Sequence, residues 1–284
     1  MHPIPIIDLS AQYRQLKDEI NNAVQSCLES TQFIGGSLVQ QFETELASYI
    51  NIKNVIGCAN GTDAIQIALM ALNLPKGSQI IVPAFTYIAP VEVIKLLGFE
   101  IIYADVDPNT FNITLKEIKR VFTNKVKAVI AVHLFGQICD IQKIYEFTEQ
   151  NKVHLIEDNA QSLGAEKIIK RDNIITTSFF PTKNLGAYGD AGAILTNDNE
   201  LAKKMRRIAS HGQHERYYHN EIGINSRLDA LQATILQVKL KYLDNFIEAR
   251  QKAADFYDQH LDEIKEIKTP KRTNASHSFH QYTI

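Results

Sequence analysis

The chain has 284 residues and is 45% hydrophobic, which is enough to bury a large core as one big domain with a smaller appendage. Its 30 basic and 32 acidic residues give a formal net charge of -2, so no long-range field attracts nucleic acid or an acidic membrane. The three cysteines lack CxxC spacing, and neither a basic leader nor a long uncharged apolar run occurs. We therefore expect a cytoplasmic chain without disulfides, thiolate metal sites or membrane spans.

Two amphipathic helices are predicted at the start of the chain. Apolar residues at helical spacing fill residues 12–30, and a second stretch with Phe42, Leu46 and Tyr49 follows the pair Gly35 and Gly36. We expect these helices to pack on a sheet or on a partner subunit.

Short β-branched runs alternate with amphipathic stretches from about residue 55 to 200. This alternation is typical of βα units that build a mostly parallel sheet covered on both faces. Thr114 and Glu117 predict a capped helix start, and Gly98 predicts a helix stop. The seven predicted strands are residues 55–58, 79–82, 101–104, 126–132, 153–156, 177–180 and 192–196.

A long amphipathic helix is predicted from Ser226 to about His260, and the chain ends at Ile284 within a further predicted strand. The pattern predicts an N-terminal arm and helix over residues 1–30 and a large α/β domain over 31–245. Residues 246–284 are expected to begin a smaller, truncated α+β domain.

An acid and an amine are predicted on one rim of the sheet. Asp158 lies just beyond one predicted strand, Lys183 follows another through a short turn, and ligands bind beyond the carboxyl ends of parallel strands. Pyridoxal phosphate (PLP) needs a lysine amine for its Schiff base and a carboxylate that keeps its ring nitrogen protonated. Either residue alone is more commonly a solvated lysine or a helix cap, so the prediction depends on neighbouring residues.

The neighbouring residues offer a phosphate site and contacts to a ring. Gly61 and Thr62 open a predicted helix, whose free amides and hydroxyl can bind an anion, although the same pattern also serves as a simple cap. Ser178 supplies a second hydroxyl. Tyr87 follows another strand end and can stack on a flat ring, with a core aromatic as the alternative, and Gln161 can donate to a ring oxygen.

Together these motifs resemble the DegT/DnrJ/EryC1/StrS sugar aminotransferases of fold type I, over essentially the whole chain. The resemblance implies a PLP enzyme with a pyridoxamine phosphate intermediate, acting as a homodimer. It is carried by residues 6–9, 60–64, 157–162, 178–183, 189–193 and 225–229.

The resemblance also implies a role for each site residue. Lys183 is the Schiff-base lysine and shares the catalytic role with Asp158, which faces the pyridine nitrogen. Gln161 binds the ring hydroxyl, Tyr87 stacks on the ring, and Asn225 reaches the phosphate bound in the other subunit. The phosphate ligands within the chain are Gly61, Thr62 and Ser178. Residues matching Phe33, Thr182 and Arg227 lie near the nucleotide sugar.

Within the family, residues 58–63, 85–87 and especially 211–217 are most similar to glutamate-dependent enzymes that aminate UDP-2-acetamido-2-deoxy-3-oxo-glucuronate. That similarity implies a place in the biosynthesis of surface polysaccharide, such as lipopolysaccharide O-antigen or capsule. A dTDP-keto-6-deoxysugar aminotransferase is an alternative. A sugar dehydratase is another, but those relatives carry histidine in place of Lys183.

A non-catalytic PLP-binding or regulatory protein is the third alternative. It is suggested by a connection between Ala165 and Thr177 that is shorter than in the family, and by the missing C-terminal part. The pairs His211 and His214, and His277 and His280, lack a third ligand at suitable spacing, so no metal is predicted.

Overall fold

The computed structural model describes residues 7–165, 173–273 and 277–284. A seven-stranded sheet of order β1-β7-β6-β5-β4-β2-β3 forms its centre. The strands are β1 (Asn54–Cys58), β2 (Gln79–Pro83), β3 (Glu100–Ala104), β4 (Val126–Val132), β5 (His154–Asp158), β6 (Ile174–Ser178) and β7 (Gly192–Thr196), with a separate hairpin of β8 (Gln213–Glu215) and β9 (Tyr218–His219). The helices are α1 (Leu9–Ser30), α2 (Gly36–Ile50), α3 (Gly61–Ala71), α4 (Ala89–Leu96), α5 (Leu115–Val121), α6 (Ile141–Gln150), α7 (Asn199–Ile208), α8 (Ala230–Leu240) and α9 (Leu243–Leu261).

The sheet is mostly parallel, as predicted. Strands β2 to β6 run parallel to one another, and β7 lies between β1 and β6 and runs antiparallel to both. Strand β4 is buried along almost its whole length, as expected for a strand covered on both faces. All seven predicted strands are present, but β6 begins three residues before and ends two residues before its prediction, because Ile174 to Thr176 pair with β7 and this pairing ends at Ser178.

Hydrophobic clusters on both faces of the sheet hold the helices in place. On one face Ile130 and Ile156 pack with Ile65 and Leu69 of α3. On the other, β4 and β5 pack against α5 and α6, while α2 and α8 cover β1 and β7. Each fully buried Leu or Ile side chain contributes roughly 1.5–3 kcal/mol, so this two-sided burial fixes the strand ends on which ligand groups lie.

Two predictions about the C-terminal part are wrong. The helix predicted from Ser226 to His260 is two helices, α8 and α9, separated at Lys241 and Tyr242, where the Tyr242 hydroxyl bonds to Glu19 of α1. The last residues form no strand: His277 and Gln137 make an isolated bridge, and the further main-chain bonds from Ser278 to Gly136 and from Gln281 to Phe135 do not extend it into a ladder.

The predicted helix signals at Thr114 and Gly98 are confirmed. The Thr114 hydroxyl accepts a hydrogen bond from the Glu117 amide at 3.3 Å, and α4 ends two residues before Gly98, whose φ is 77°. No helix among the described residues is long and apolar enough to span a bilayer. The connection between Ala165 and Thr177, expected to be shorter than in the family, includes residues 166–172, which lie outside the described residues.

Candidate active site

The lysine and the acid lie at the same edge of the sheet. Asp158 is the last residue of β5, and its neighbour β6 runs parallel to β5, so both strands end on this edge. Lys183 follows β6 through a tight turn, in which its amide donates to the Phe180 carbonyl at 2.8 Å. A Cβ at Gly186 would lie 2.3 Å from the Pro181 carbonyl oxygen, so this loop folds back on itself only with glycine there.

Asp158 has a buried carboxyl group, one of whose two oxygens accepts a hydrogen bond within the protein. It is 8% exposed, and its Oδ1 accepts a hydrogen bond from the Ala160 amide at 3.0 Å. In the part of the chain that the structure describes, no group donates to the other oxygen. Burial raises the pKa of Asp158, against the opposing effects of the Ala160 amide and the charges of Lys183 and His133. A protonated ring nitrogen at the open oxygen would supply the missing partner.

Lys183 has the environment of a reactive amine. Burial lowers its pKa, and the nearby Asp158 carboxylate partly opposes that change. A lowered pKa leaves more of the amine neutral at neutral pH, and the neutral amine is the nucleophile that attacks a carbonyl. The structure therefore brings the two predicted catalytic residues together and couples them electrostatically.

An anion cradle lies at the start of α3. The Asn60 side chain caps the helix by accepting from the Asp63 amide at 2.8 Å. The amides of Gly61 and Thr62 bond to no described residue, so they are available to a phosphate. A Cβ at Gly61 would come within 2.7 Å of the Ser178 Cβ, which shows how closely these two predicted ligands pack. Among the described residues, the Ser178 hydroxyl accepts a 3.3 Å bond from the Phe180 amide and donates to no other group, so its proton is available to an acceptor there.

Gln161 and Tyr87 offer the remaining contacts expected for a ring. The Gln161 Oε1 accepts from the Phe135 amide at 2.6 Å, and its Nε2 has no partner among the described residues. Tyr87 is 72% exposed beyond the end of β2, which excludes the alternative that it is a core aromatic. Its neighbour Phe85 instead packs against Phe111 and Phe135.

Residues 14–284 match the DegT/DnrJ/EryC1/StrS aminotransferase family. The chain belongs to this family. It is 44% identical over 288 residues to a pleiotropic regulatory protein of Geobacillus stearothermophilus, covering 99% of this chain and 77% of that protein. It is also 44% identical over 286 residues to the UDP-2-acetamido-2-deoxy-3-oxo-D-glucuronate aminotransferase of Pseudomonas aeruginosa, covering 99% and 79%. The structure of NtdA from Bacillus subtilis with bound cofactor PMP superposes with a TM-score of 0.92 at 33% identity, covering 99% of this chain and 66% of that one.

The site of this aminotransferase fits PLP, the cofactor on which the family depends. The two open amides at the start of α3 suit its phosphate, and the open oxygen of Asp158 suits its ring nitrogen. The donor set contains no cluster that suits a metal instead, since no group of three His, Cys, Asp or Glu residues with metal-binding geometry occurs in the described ranges.

A buried polar network that sequence reasoning missed supports Asp158. His133 contacts Glu157 through Nε2 at 2.9 Å, and Asn173 donates to the other Glu157 oxygen at 2.6 Å. The His133 amide also donates to the Asp158 carbonyl at 3.1 Å, so the ends of β4 and β5 are tied together. The available signal was a pair of polar residues that follow short apolar runs, His133 just after β4 and Glu157 near the end of β5.

Of the four residues predicted for substrate and for the partner subunit, three are exposed and Thr182 is half-buried. Asn225 and Arg227 are exposed and flank Ser226, whose hydroxyl accepts from the Ala59 amide at 3.0 Å beside the anion cradle. Phe33 is 43% exposed, and its carbonyl accepts from the Ala230 amide at 2.9 Å. Thr182 immediately precedes Lys183. The roles of these four residues stay predictions.

Proposed function

We propose that this aminotransferase moves an amino group from glutamate to the keto group of a nucleotide-linked sugar, with UDP-2-acetamido-2-deoxy-3-oxo-glucuronate as its substrate. The observation that carries the proposal is the pairing of buried Asp158 with half-buried Lys183 beside the anion cradle of Gly61, Thr62 and Ser178. The sugar is inferred from the similarity to the Pseudomonas aeruginosa enzyme.

Each residue of the site has a task in this reaction. Bound PLP would supply an electron sink and a carrier for the amino group. Lys183 would hold the cofactor through its amine and, when released, would take up and return a proton at the substrate carbon. Asp158 would keep the pyridine nitrogen protonated. Gln161 donates to the ring oxygen, and Tyr87 covers the ring face.

The sugar and the second subunit are assigned to the surface beside the cradle. We propose a cytoplasmic homodimer in which Asn225 binds the phosphate of the cofactor held by the partner. Arg227 is an exposed cation suited to the diphosphate or carboxylate of a nucleotide-linked uronate, and Phe33 and Thr182 complete the sugar site. The product would enter surface polysaccharide.

Product analysis tests this function. The purified protein with PLP and glutamate is offered a matched panel of UDP- and dTDP-linked keto sugars, and mass spectrometry detects the amino sugar together with 2-oxoglutarate. We expect amination of the UDP-linked 3-keto uronate, and none with Lys183→Ala. Amination of only the dTDP-linked sugars would replace this substrate by the dTDP alternative. If glutamate yields no 2-oxoglutarate with any sugar, the protein is the non-catalytic relative.

A further inference from the structure

The structure shows how the Gln161 carboxamide is oriented. The Phe135 amide donates to its Oε1 at 2.6 Å, and the buried Asn112 side chain holds the loop that presents this amide. We propose that Asn112 and the main chain of Phe135 form a relay that turns the Nε2 of Gln161 toward the ligand and makes Gln161 a donor only. This inference rests on the proposed function, in which Gln161 faces the ring oxygen of PLP.

The first step of the relay fixes which end of the carboxamide faces the ligand. A glutamine side chain has one end that accepts hydrogen bonds and one end that only donates. Because the Phe135 amide is itself a donor, it binds only the accepting end, and a flipped Gln161 would place two donors against each other. The end left open is then Nε2, which suits an anionic ring oxygen and repels a cationic or donating group.

The second step fixes Phe135. Its backbone is in the left-handed region, with φ 58° and ψ 2°, a conformation that a phenylalanine adopts only when the surroundings hold it. Asn112 spans the loop on both sides of it. Its Oδ1 accepts from the Leu134 amide at 2.9 Å, and its Nδ2 donates to the Gln137 carbonyl at 2.8 Å. Asn112 is 3% exposed, so neither bond is replaced readily by water.

The loop is also held from its open side. The Gln281 amide donates to the Phe135 carbonyl at 3.2 Å, and the Ser278 hydroxyl donates to the Gln161 carbonyl at 3.2 Å. Asn184, which follows Lys183, donates to that same serine hydroxyl at 2.8 Å. Gln161, Phe135 and the lysine loop therefore form one connected unit, and Asn112 acts on the cofactor site as a positioning residue without touching it.

The test compares Asn112→Ala, Gln161→Ala and their double variant with the unaltered protein. A control, Thr148→Val, removes a buried hydroxyl bond to the Tyr145 carbonyl on α6, away from the relay. Two quantities are measured on each protein: the PLP dissociation constant, and the pH midpoint of the visible absorbance that PLP acquires with Lys183. The midpoint reports how readily the proton that the Lys183 nitrogen shares with the ring oxygen is lost; a donor at that oxygen shifts it, whereas a change in stability alone does not.

A donor at the ring oxygen favours the deprotonated, anionic form of the bound cofactor, so its loss moves the midpoint to higher pH. We expect Asn112→Ala and Gln161→Ala each to raise the midpoint by roughly one unit and to weaken PLP binding by about tenfold. The double variant should have the same midpoint as Gln161→Ala, because Asn112 acts only through Gln161 and has no further effect once that side chain is removed. A midpoint in Asn112→Ala equal to that of Thr148→Val, or additive effects in the double variant, would overturn the relay.

Gln161→Glu decides the matter if Asn112→Ala does not fold. Glutamate keeps an acceptor for the Phe135 amide and replaces the open donor by an acceptor, so the midpoint should rise at least as far as in Gln161→Ala. A midpoint that stays at the unaltered value contradicts the relay. If PLP gives no absorbance that depends on Lys183, the proposed function and the relay fall together; if that absorbance appears but ignores Gln161 and Asn112, only the relay falls.

Discussion

Replacing Gly61 by alanine tests whether the close contact between Gly61 and Ser178 shapes the anion cradle. The new Cβ would lie 2.7 Å from the Ser178 Cβ and 3.3 Å from its Cα, so main chain must move. Such overpacking costs typically about 1–3 kcal/mol. A Gly to Ala substitution also stabilises the fold by about 0.4–1 kcal/mol, because it lowers the conformational entropy of the unfolded chain. This gain is smaller than the steric cost, so the net effect of Gly61→Ala is unfavourable.

The expected result is weaker binding of PLP, because the strain falls on the amides that face its phosphate. If most of the steric cost of about 1–3 kcal/mol is lost from the free energy of PLP binding, the dissociation constant rises between about 5-fold and 150-fold, because each tenfold corresponds to about 1.4 kcal/mol. Equilibrium dialysis of PLP against the purified variant measures this constant, and thermal unfolding without PLP measures the change in stability separately.

Two serine variants serve as controls for this prediction. Ser178→Ala keeps the Cβ that meets Gly61, whereas Ser178→Gly removes it; both lose the hydroxyl. Combining Gly61→Ala with Ser178→Gly should therefore recover most of the binding lost to the clash, and combining it with Ser178→Ala should not. Our reasoning is refuted if Gly61→Ala binds PLP as tightly as the unaltered protein, or if both double variants behave alike.

Three further predictions rest on contacts that the structure shows. Asp158→Asn should fold, since the amide oxygen of the new side chain can still accept from the Ala160 amide. The variant loses the charge-assisted bond to the cofactor ring nitrogen, worth about 1.5–3 kcal/mol. It should therefore slow amino transfer at least tenfold in stopped-flow half-reactions. The rate at which Lys183 reacts with PLP should rise with pH, with a midpoint below the ordinary lysine pKa of about 10.4. In Asp158→Asn that midpoint should fall further, because the carboxylate raises the pKa of the lysine. The same midpoint in the variant and in the unaltered protein would count against the pairing. The Glu43 carboxylate accepts hydrogen bonds from the Gly57 amide at 2.8 Å and from Arg206. Glu43→Ala removes both bonds and should lower the free energy of unfolding, measured by urea denaturation, by about 1–3 kcal/mol. The control Lys203→Ala, on the exposed face of α7, should change it by less than about 1 kcal/mol.

The sequence alone determined the sheet and the chemistry at its edge. Apolar runs of four to seven residues separated by helical stretches specify strands covered on both faces, and a capped helix start after a strand specifies an anion site. Lys183 and Asp158 could be paired before any coordinates because parallel strands end on one edge, so residues that follow such strands share one rim. These inferences need only local pattern and the direction of the chain.

Only the tertiary structure decided which groups hold that chemistry in place. Nothing local in the sequence links Asn112 to Phe135, or Ser278 to Gln161, because each pair joins segments far apart in the chain. The break between α8 and α9 was missed for the same reason: a continuous apolar pattern does not reveal the contact with α1 at which one helix ends. The orientation of buried side chains depends on which donors and acceptors folding brings together, and the local sequence pattern does not specify these long-range contacts.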